Sequence, residues 1–202
     1  MAGTESARRH TRDDVARAAL RILDDDGLPD LTMRRLAAAL DVQPSALYHH
    51  FPNKQSLLAE LADRIVAQAD APRPFDGSRT RSAAAALRDA LLAYRDGAEV
   101  VSSTLALGLG STAARDGLAA AMSADGFDAD DASHAAAALL HFVMGHVWHE
   151  QQRMQYDSLG VVEPDASLSP QSADEALAEF TFGVDLLIGG LEQRRAHAAT
   201  TA

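Results

Sequence analysis

Residues 31–58, LTMRRLAAALDVQPSALYHHFPNKQSLL, decide the fold of this 202-residue chain. At their centre, VQPSALYHHF (42–51) crowds Tyr48, His49, His50 and Phe51 behind a proline. The two adjacent histidines admit three readings: metal ligands, cover for a helix surface, or groups held out toward a partner. Neighbouring helical residues diverge by about 100°, so the pair is poorly arranged for one metal ion. Pro44 can open a short helix over 44–50, because the N–H it lacks would be unsatisfied at a first turn anyway. On that helix Leu47 and Phe51 share one face, which points into a small core with Val42. Ser45 and His49 then fall on the opposite side, flanked by Ala46 and Tyr48.

The flanking segments give this short helix its setting. In DDVARAALRILDDDG the apolar residues Val15, Ala19, Ile22 and Leu23 recur at helical spacing, and Gly27 supplies the stop. Thr32 is a cap for a second helix that buries Met33, Leu36, Ala37 and Leu40, and Asn53 caps a fourth with Leu57, Leu61 and Ile65 as its stripe. One long helix followed by two short ones across a tight turn matches a three-helix helix-turn-helix. An outward face of Ser45, Ala46, Tyr48 and His49 is small enough to approach base edges, with His50 at its rim nearer the phosphates. Arg34 and Lys54 stand on either side, placed for phosphates or, for Arg34, a guanine edge. The expected DNA-binding set is therefore Thr32, Arg34, Pro44, Ser45, Ala46, Tyr48, His49, His50 and Lys54.

The formal net charge of −11 argues at first sight against nucleic acid. The charge is uneven, however. Residues 1–54 hold 8 Lys+Arg and 8 Asp+Glu, net zero, and the remaining 10 and 21 lie beyond them. The acidity belongs to the larger C-terminal part, which leaves a DNA-binding module possible in the first segment. With no cysteine, thiolate metal sites, disulfides and a Cys nucleophile are excluded. No run of about 18 apolar residues spans a membrane, and MAGTESARRHTRDD lacks the apolar core of a secretory signal, so a cytoplasmic location is expected.

Beyond residue 70 the pattern stays helical, with APRPFDGS (71–78) as a linker and helices near 79–94, 95–107, 111–124, 129–153 and 172–195. Residues 156–171 read as a long loop and the tail RRAHAATTA as frayed. Strand alternation is absent, so the fold class is all-α. Domains are expected at 1–70 (arm, helix-turn-helix and connecting helix) and 71–202 (a second, larger helical domain). In the last helix Phe180, Gly183, Val184, Leu187, Gly190 and Leu191 form an apolar stripe whose glycines permit close helix approach. That stripe serves either a dimer seam or the chain's own core. Paired Glu-x-x-His motifs, a Gly-x-Ser-x-Gly elbow and a phosphate-binding glycine loop are all missing, and HEQQR (149–153) is not a zinc-hydrolase HExxH. No catalytic residue, metal site or cofactor is expected.

LTMRRLAAALDVQPSALYHHFPNKQSLL resembles the DNA-binding motif of the TetR family of repressors across the whole helix-turn-helix. One departure is Asp41, where the family usually has glycine at a left-handed turn; aspartate tolerates that conformation better than most residues. YRDGAEV (94–100), LLHFVMGHVWHEQQ (139–152) and FTFGVDLLIGGLE (180–192) extend the likeness to the tetracycline repressors' C-terminal domain. The resemblance implies a homodimer, with 129–153 and 172–195 in an intersubunit four-helix bundle, a palindromic double-stranded operator, and release by a small-molecule inducer. A TetR-like activator or a ligand-independent regulator is the alternative.

The resemblance also implies positions for a magnesium–tetracycline site, and most have changed. Asp70 stands at the drug-contacting His, Ala83 at the Asn, Leu87 at the aromatic, Val101 at the magnesium-binding His, Leu118 at the Gln and His149 at the acid from across the dimer. Thr104 is kept. A hard divalent cation wants oxygen ligands and water, and Val101 offers neither. The expected inducer is therefore a largely hydrophobic molecule rather than magnesium–tetracycline. Its expected contacts are Leu87, Tyr94, Val101, Thr104, Leu118, Met122, His141, Met144, Trp148 and His149, with His134 and His146 as further polar candidates. For the histidines, packing at the dimer seam, a hydrogen bond to ligand and metal ligation all stay open.

Overall fold

The computed structural model describes residues 10–70, 77–161 and 170–201, and among them every regular element is helical. The order is α1 (Arg12–Asp26), α2 (Met33–Ala39), α3 (Pro44–Leu47), α4 (Lys54–Val66) with a 3-10 turn at Ala67–Asp70, α5 (Arg79–Leu92), α6 (Gly97–Ala106), α7 (Ala113–Ala124), α8 (Ala129–Ser158) and α9 (Pro170–Thr201). α1 to α4 make a small head, and α5 to α9 make the body.

Local chemistry sets the head's boundaries. Thr11 and Asp14 form a reciprocal capping box on α1, and Asn53 and Ser56 form another on α4. The Thr32 hydroxyl accepts the Arg35 N–H at 3.1 Å to start α2. Asp41 adopts φ 52°, so the left-handed turn between α2 and α3 is kept without glycine. α1 stops at Gly27, φ 88°, where a Cβ would lie 2.9 Å from an oxygen of Asp96 in the body.

Leu23, Leu31, Leu36, Leu47 and Phe51 fill the head, and the apolar core continues through Leu61 and Ile65 of α4 into Leu91, Val100 and Val143 of the body. α4 packs on both α5 and α6, so it is the beam between the two parts. The linker expected at 71–78 lies outside the described residues except for Gly77 and Ser78, which caps α5.

Three boundaries differ from the sequence reading. α3 closes at Leu47, and the amides of His50 and Phe51 both return to the Leu47 carbonyl, so 48–50 is a turn rather than helix. α8 runs five residues past 153, to Ser158, because Gln155 reaches across to the buried Asp96 and anchors that extra turn. The tail expected to fray is helical to Thr201. Arg194 pairs with Asp131 and Arg195 lies over the Phe127 ring, and the alanines that follow have the highest helix propensity. Of the expected loop at 156–171, residues 162–169 lie outside the described residues.

Candidate DNA interface and regulatory cleft

A four-residue helix has almost no stability of its own, so α3 depends on what holds it. Leu47 and Phe51 are buried, while Ser45, Tyr48 and His49 are exposed, with Ala46 and His50 half-buried between them. Tyr48 leaves 49% of its surface open, a large exposure for an aromatic in a head this small. Val42 is only partly buried and packs against the core rather than inside it. Two cations flank this face. Arg34 is exposed and Lys54 half-buried, and among the described residues neither has an ion pair, whereas neighbouring Arg35 is committed to Asp26 and Asp30. Thr32 is exposed, with its hydroxyl used as the α2 cap.

Beneath the face lies a charged network with no signature in the local sequence. Arg12 donates to the His50 carbonyl at 2.7 Å and to Glu60 at 2.8 and 3.0 Å, and its guanidinium sits 4.2 Å from the Phe51 ring centre. Glu60 also accepts from Arg64, which bonds Asp13 at 2.7 Å. Burial pushes the Glu60 carboxyl up, but the hydrogen bonds from Arg12 and Arg64 outweigh it and hold the group below its ordinary value.

The expected inducer contacts do not form one pocket. Leu87, Val101, Leu118 and Met122 are buried in the continuous core. Thr104 is buried too, and its hydroxyl donates to the Val101 carbonyl at 2.9 Å. Tyr94 is half-buried with its phenol accepting from Gln68. His141, Met144 and Trp148 do converge. They project from α8 over Glu99, Ser102 and Ser103 of α6, lining an open cleft of about 430 Å³. His149 lies in a different, smaller cleft against α9, beside His146 and Glu150. Met122 reaches a third, with Leu187, Gly190 and Leu191.

The histidines separate likewise. His134 donates to the Asp130 carbonyl, and His146 donates to the Ala176 carbonyl while packed against the Phe142 and Phe180 rings. Among the described residues no three His, Asp or Glu side chains converge as metal ligands.

The α9 stripe requires a correction of face. Phe180, Val184 and Leu191 are buried within this chain, and a Cβ on Gly183 would land inside the Phe142 ring of α8. The close approach that glycine permits is therefore intrachain, and Gly190 has nothing within 4 Å. A 3.6-residue period cannot say which of two adjacent stripes turns inward. The stripe left open is Leu177, Phe182, Leu186 and Leu187, with Phe182 at 65% and Leu186 at 62% exposure, and Trp148 on α8 is 48% exposed.

The body is tied together by buried polar groups that sequence reasoning passed over. Arg88 donates from one nitrogen to both oxygens of Glu150, at 2.7 and 2.9 Å, and packs on the Phe180 ring. Gln151 accepts from the Ala98 N–H and donates to the carbonyls of Leu91 and Tyr94. A charged residue at core spacing in AAAALRDALLA was the available signal for Arg88.

Comparison with known proteins agrees with this architecture along nearly the whole chain. Residues 15–61 match the family of bacterial regulatory proteins of the tetR type, and residues 73–195 match the tetracyclin repressor-like C-terminal domain. The class C tetracycline repressor protein of Escherichia coli is 38% identical over 202 residues, covering 91% of each chain. BioQ of Mycobacterium smegmatis superposes with a TM-score of 0.76 at 39% identity, over 90% of this chain and 97% of that one. BioQ bound to its natural double-stranded DNA operator gives 0.72 at 38%, over 90% and 98%. No helix among the described residues is long and apolar enough to cross a membrane. With a helix-turn-helix head and family matches over both parts, the chain belongs to the TetR family of bacterial regulatory proteins, as a DNA-binding transcriptional repressor.

Proposed function

We propose that this repressor works in the cytoplasm as a homodimer whose two heads, residues 1–70, grip a palindromic operator, and that a small molecule bound in the body, residues 71–202, releases it. The observation that carries the DNA part is the exposed Ser45, Tyr48 and His49 face, flanked by Arg34 and Lys54 without ion pairs among the described residues. In this reading Pro44, Ala46 and His50 shape that face, and Thr32 fixes the start of α2 beside it. A dimer supplies what one head lacks, with its 9 Lys+Arg against 11 Asp+Glu over residues 1–70, because two half-sites about one helical turn apart double the phosphate contacts.

The open apolar stripe of α9 (Phe182, Leu186 and Leu187) supports a second copy of this chain as the covering surface. Phe182→Glu with Leu186→Glu is then expected to give a monomer by sedimentation while helicity is retained. A dimer that persists in the double variant places the seam elsewhere.

For the inducer, the reading rests on the α6–α8 cleft, since α6 packs directly on α4, the beam to the head. Its walls of Met144 and Trp148, with His141, Ser102 and Ser103 as polar anchors, suit a largely hydrophobic molecule. Occupying it can release DNA only to the extent that it binds one state better than the other. Trp148 is the sole tryptophan, so its fluorescence reports on the cleft. A releasing ligand is expected to quench it, and Trp148→Ala to weaken that release. Release with no change in Trp148 emission and no effect of Trp148→Ala would place the inducer elsewhere. Magnesium–tetracycline is excluded in this reading because Leu87, Val101 and Leu118 line no oxygen-rich site. Magnesium-dependent tetracycline binding at micromolar level in calorimetry would contradict it.

A second reading, regulation without an inducer, draws support from the buried packing of Leu87, Val101, Thr104, Leu118 and Met122. A set of candidate hydrophobic metabolites that leaves operator binding untouched would favour it.

A further inference from the structure

The end of α3 is held by a residue that belongs to neither the recognition helix nor its turn. We infer that Arg12 is a positioning residue for operator reading, setting the pose of Tyr48 and His49 without touching DNA itself. This rests on the assignment of the α3 face to DNA given above.

α3 and its turn need an external brace. The amides of His50 and Phe51 both return to the single Leu47 carbonyl, and in the turn that follows α3 the His50 carbonyl takes its hydrogen bond from a side chain instead. A cationic donor makes the stronger hydrogen bond to such a carbonyl. Arg12 meets that carbonyl at 2.7 Å, and its guanidinium lies 4.2 Å from the centre of Phe51, the anchor of the same turn.

The guanidinium is fixed from its other side as well. Its Nε and Nη2 both donate to one oxygen of Glu60 on α4, and Glu60 is held in turn by Arg64. Three donors of one planar fork therefore tie the turn after α3 to the beam that enters the body. Lysine has the charge but cannot span both partners from a single point. Arg12 is half-exposed, at 53% of its side chain, so a direct phosphate contact is the competing role.

The two roles give different signatures in salt. A phosphate contact contributes close to one unit to the slope of log affinity against log salt, whereas a brace contributes none. They also differ at Glu60. Removing that negative charge should strengthen DNA binding on electrostatic grounds alone, but should weaken operator binding if Glu60 aligns Arg12.

The test uses the full-length protein and an operator duplex that the native protein selects from a random pool, with poly(dI-dC) as the non-specific duplex. Arg12→Met, which keeps the stem over Phe51, is expected to lose about tenfold in operator affinity, the scale of one charge-assisted hydrogen bond. Its salt slope should match the native one. Glu60→Gln should also lose operator affinity, with poly(dI-dC) affinity unchanged or higher. Arg12→Lys should not restore operator affinity. The inference is overturned if the slope falls by about one unit in Arg12→Met, if Glu60→Gln binds operator as well as or better than native, or if Arg12→Lys restores native affinity. Should Arg12→Met fail to fold, the sign of the Glu60→Gln effect decides. Tyr48→Ala separates the two readings: native operator affinity there refutes the recognition face itself, whereas a loss confined to Tyr48→Ala refutes only the brace.

Discussion

The Asp96 carboxylate, in the body, accepts the backbone N–H of Leu28, in the head, at 2.8 Å. Its other oxygen accepts from the Gln155 amide of α8, and the residue itself is buried with φ 57°. One side chain thus joins the end of α1, the start of α6 and the last turn of α8. Asp96→Ala leaves two donors without partners and puts a poorly tolerated residue in a left-handed conformation. It is expected to cost about 2–3 kcal/mol in urea unfolding, the range for stranding buried polar groups. Asp96→Asn, which still accepts from Leu28 and tolerates the backbone, should cost clearly less. Equal losses in the two variants would mean the Leu28 bond contributes little.

Arg88 and Glu150 form an ion pair with only 10% and 18% of their side chains exposed. Removing one partner strands a charge, so Glu150→Ala should cost about 3 kcal/mol. Replacing both, as Arg88→Met with Glu150→Leu, should recover most of that loss. A double variant no more stable than the single ones, by denaturant titration, would show that the pair's geometry itself stabilises the bundle.

On the face proposed for DNA, Tyr48→Ala should leave the unfolding midpoint nearly unchanged, since the ring is half-exposed, yet weaken operator binding about tenfold or more. Lys54→Ala should lower affinity for all duplexes alike and reduce the salt slope by about one unit. A Lys54→Ala effect confined to one sequence would instead assign that side chain to a base edge.

Asp125 caps the start of α5 from the end of α7, accepting from the amides of Arg79 and Thr80 and from the Ser78 and Thr80 hydroxyls. Burial pushes its carboxyl up, but these hydrogen bonds outweigh it and bring the group below its ordinary value of 3.8. A carboxyl depressed in the folded state contributes fully above its unfolded value, and the contribution disappears as pH falls through the folded one. Asp125→Asn should therefore be less stable than native at pH 7, with the two converging at strongly acidic pH. A constant gap across that range would show that the charge of Asp125 has no part in it.

What could be read in the chain before folding was whatever local chemistry fixes. The caps at Thr32 and Asn53, the stop at Gly27 and the division of residues 45–51 into inward Leu47 and Phe51 and outward Tyr48 and His49 follow from spacing and backbone preference, while the left-handed turn at Asp41 came with the resemblance. Those are short-range effects, written within four residues of where they act. The resemblance carried the head and body as a family architecture for the same reason, since its motifs lie along the chain.

Only the tertiary structure decided the rest. Periodicity marked Phe180, Val184 and Leu191 as apolar but could not show that α8 of the same chain covers them, leaving Phe182 and Leu186 outside. The resemblance gathered Leu87, Val101, Leu118, Met122 and Trp148 into one expected pocket, where packing sends the first four into the core and leaves Trp148 at a surface cleft. The Arg12–Glu60 and Asp96–Leu28 bonds join residues 48 and 68 positions apart. Nothing local distinguishes those charged side chains from solvated ones; the fold alone selects them, by bringing a donor and an acceptor together from distant parts of the chain.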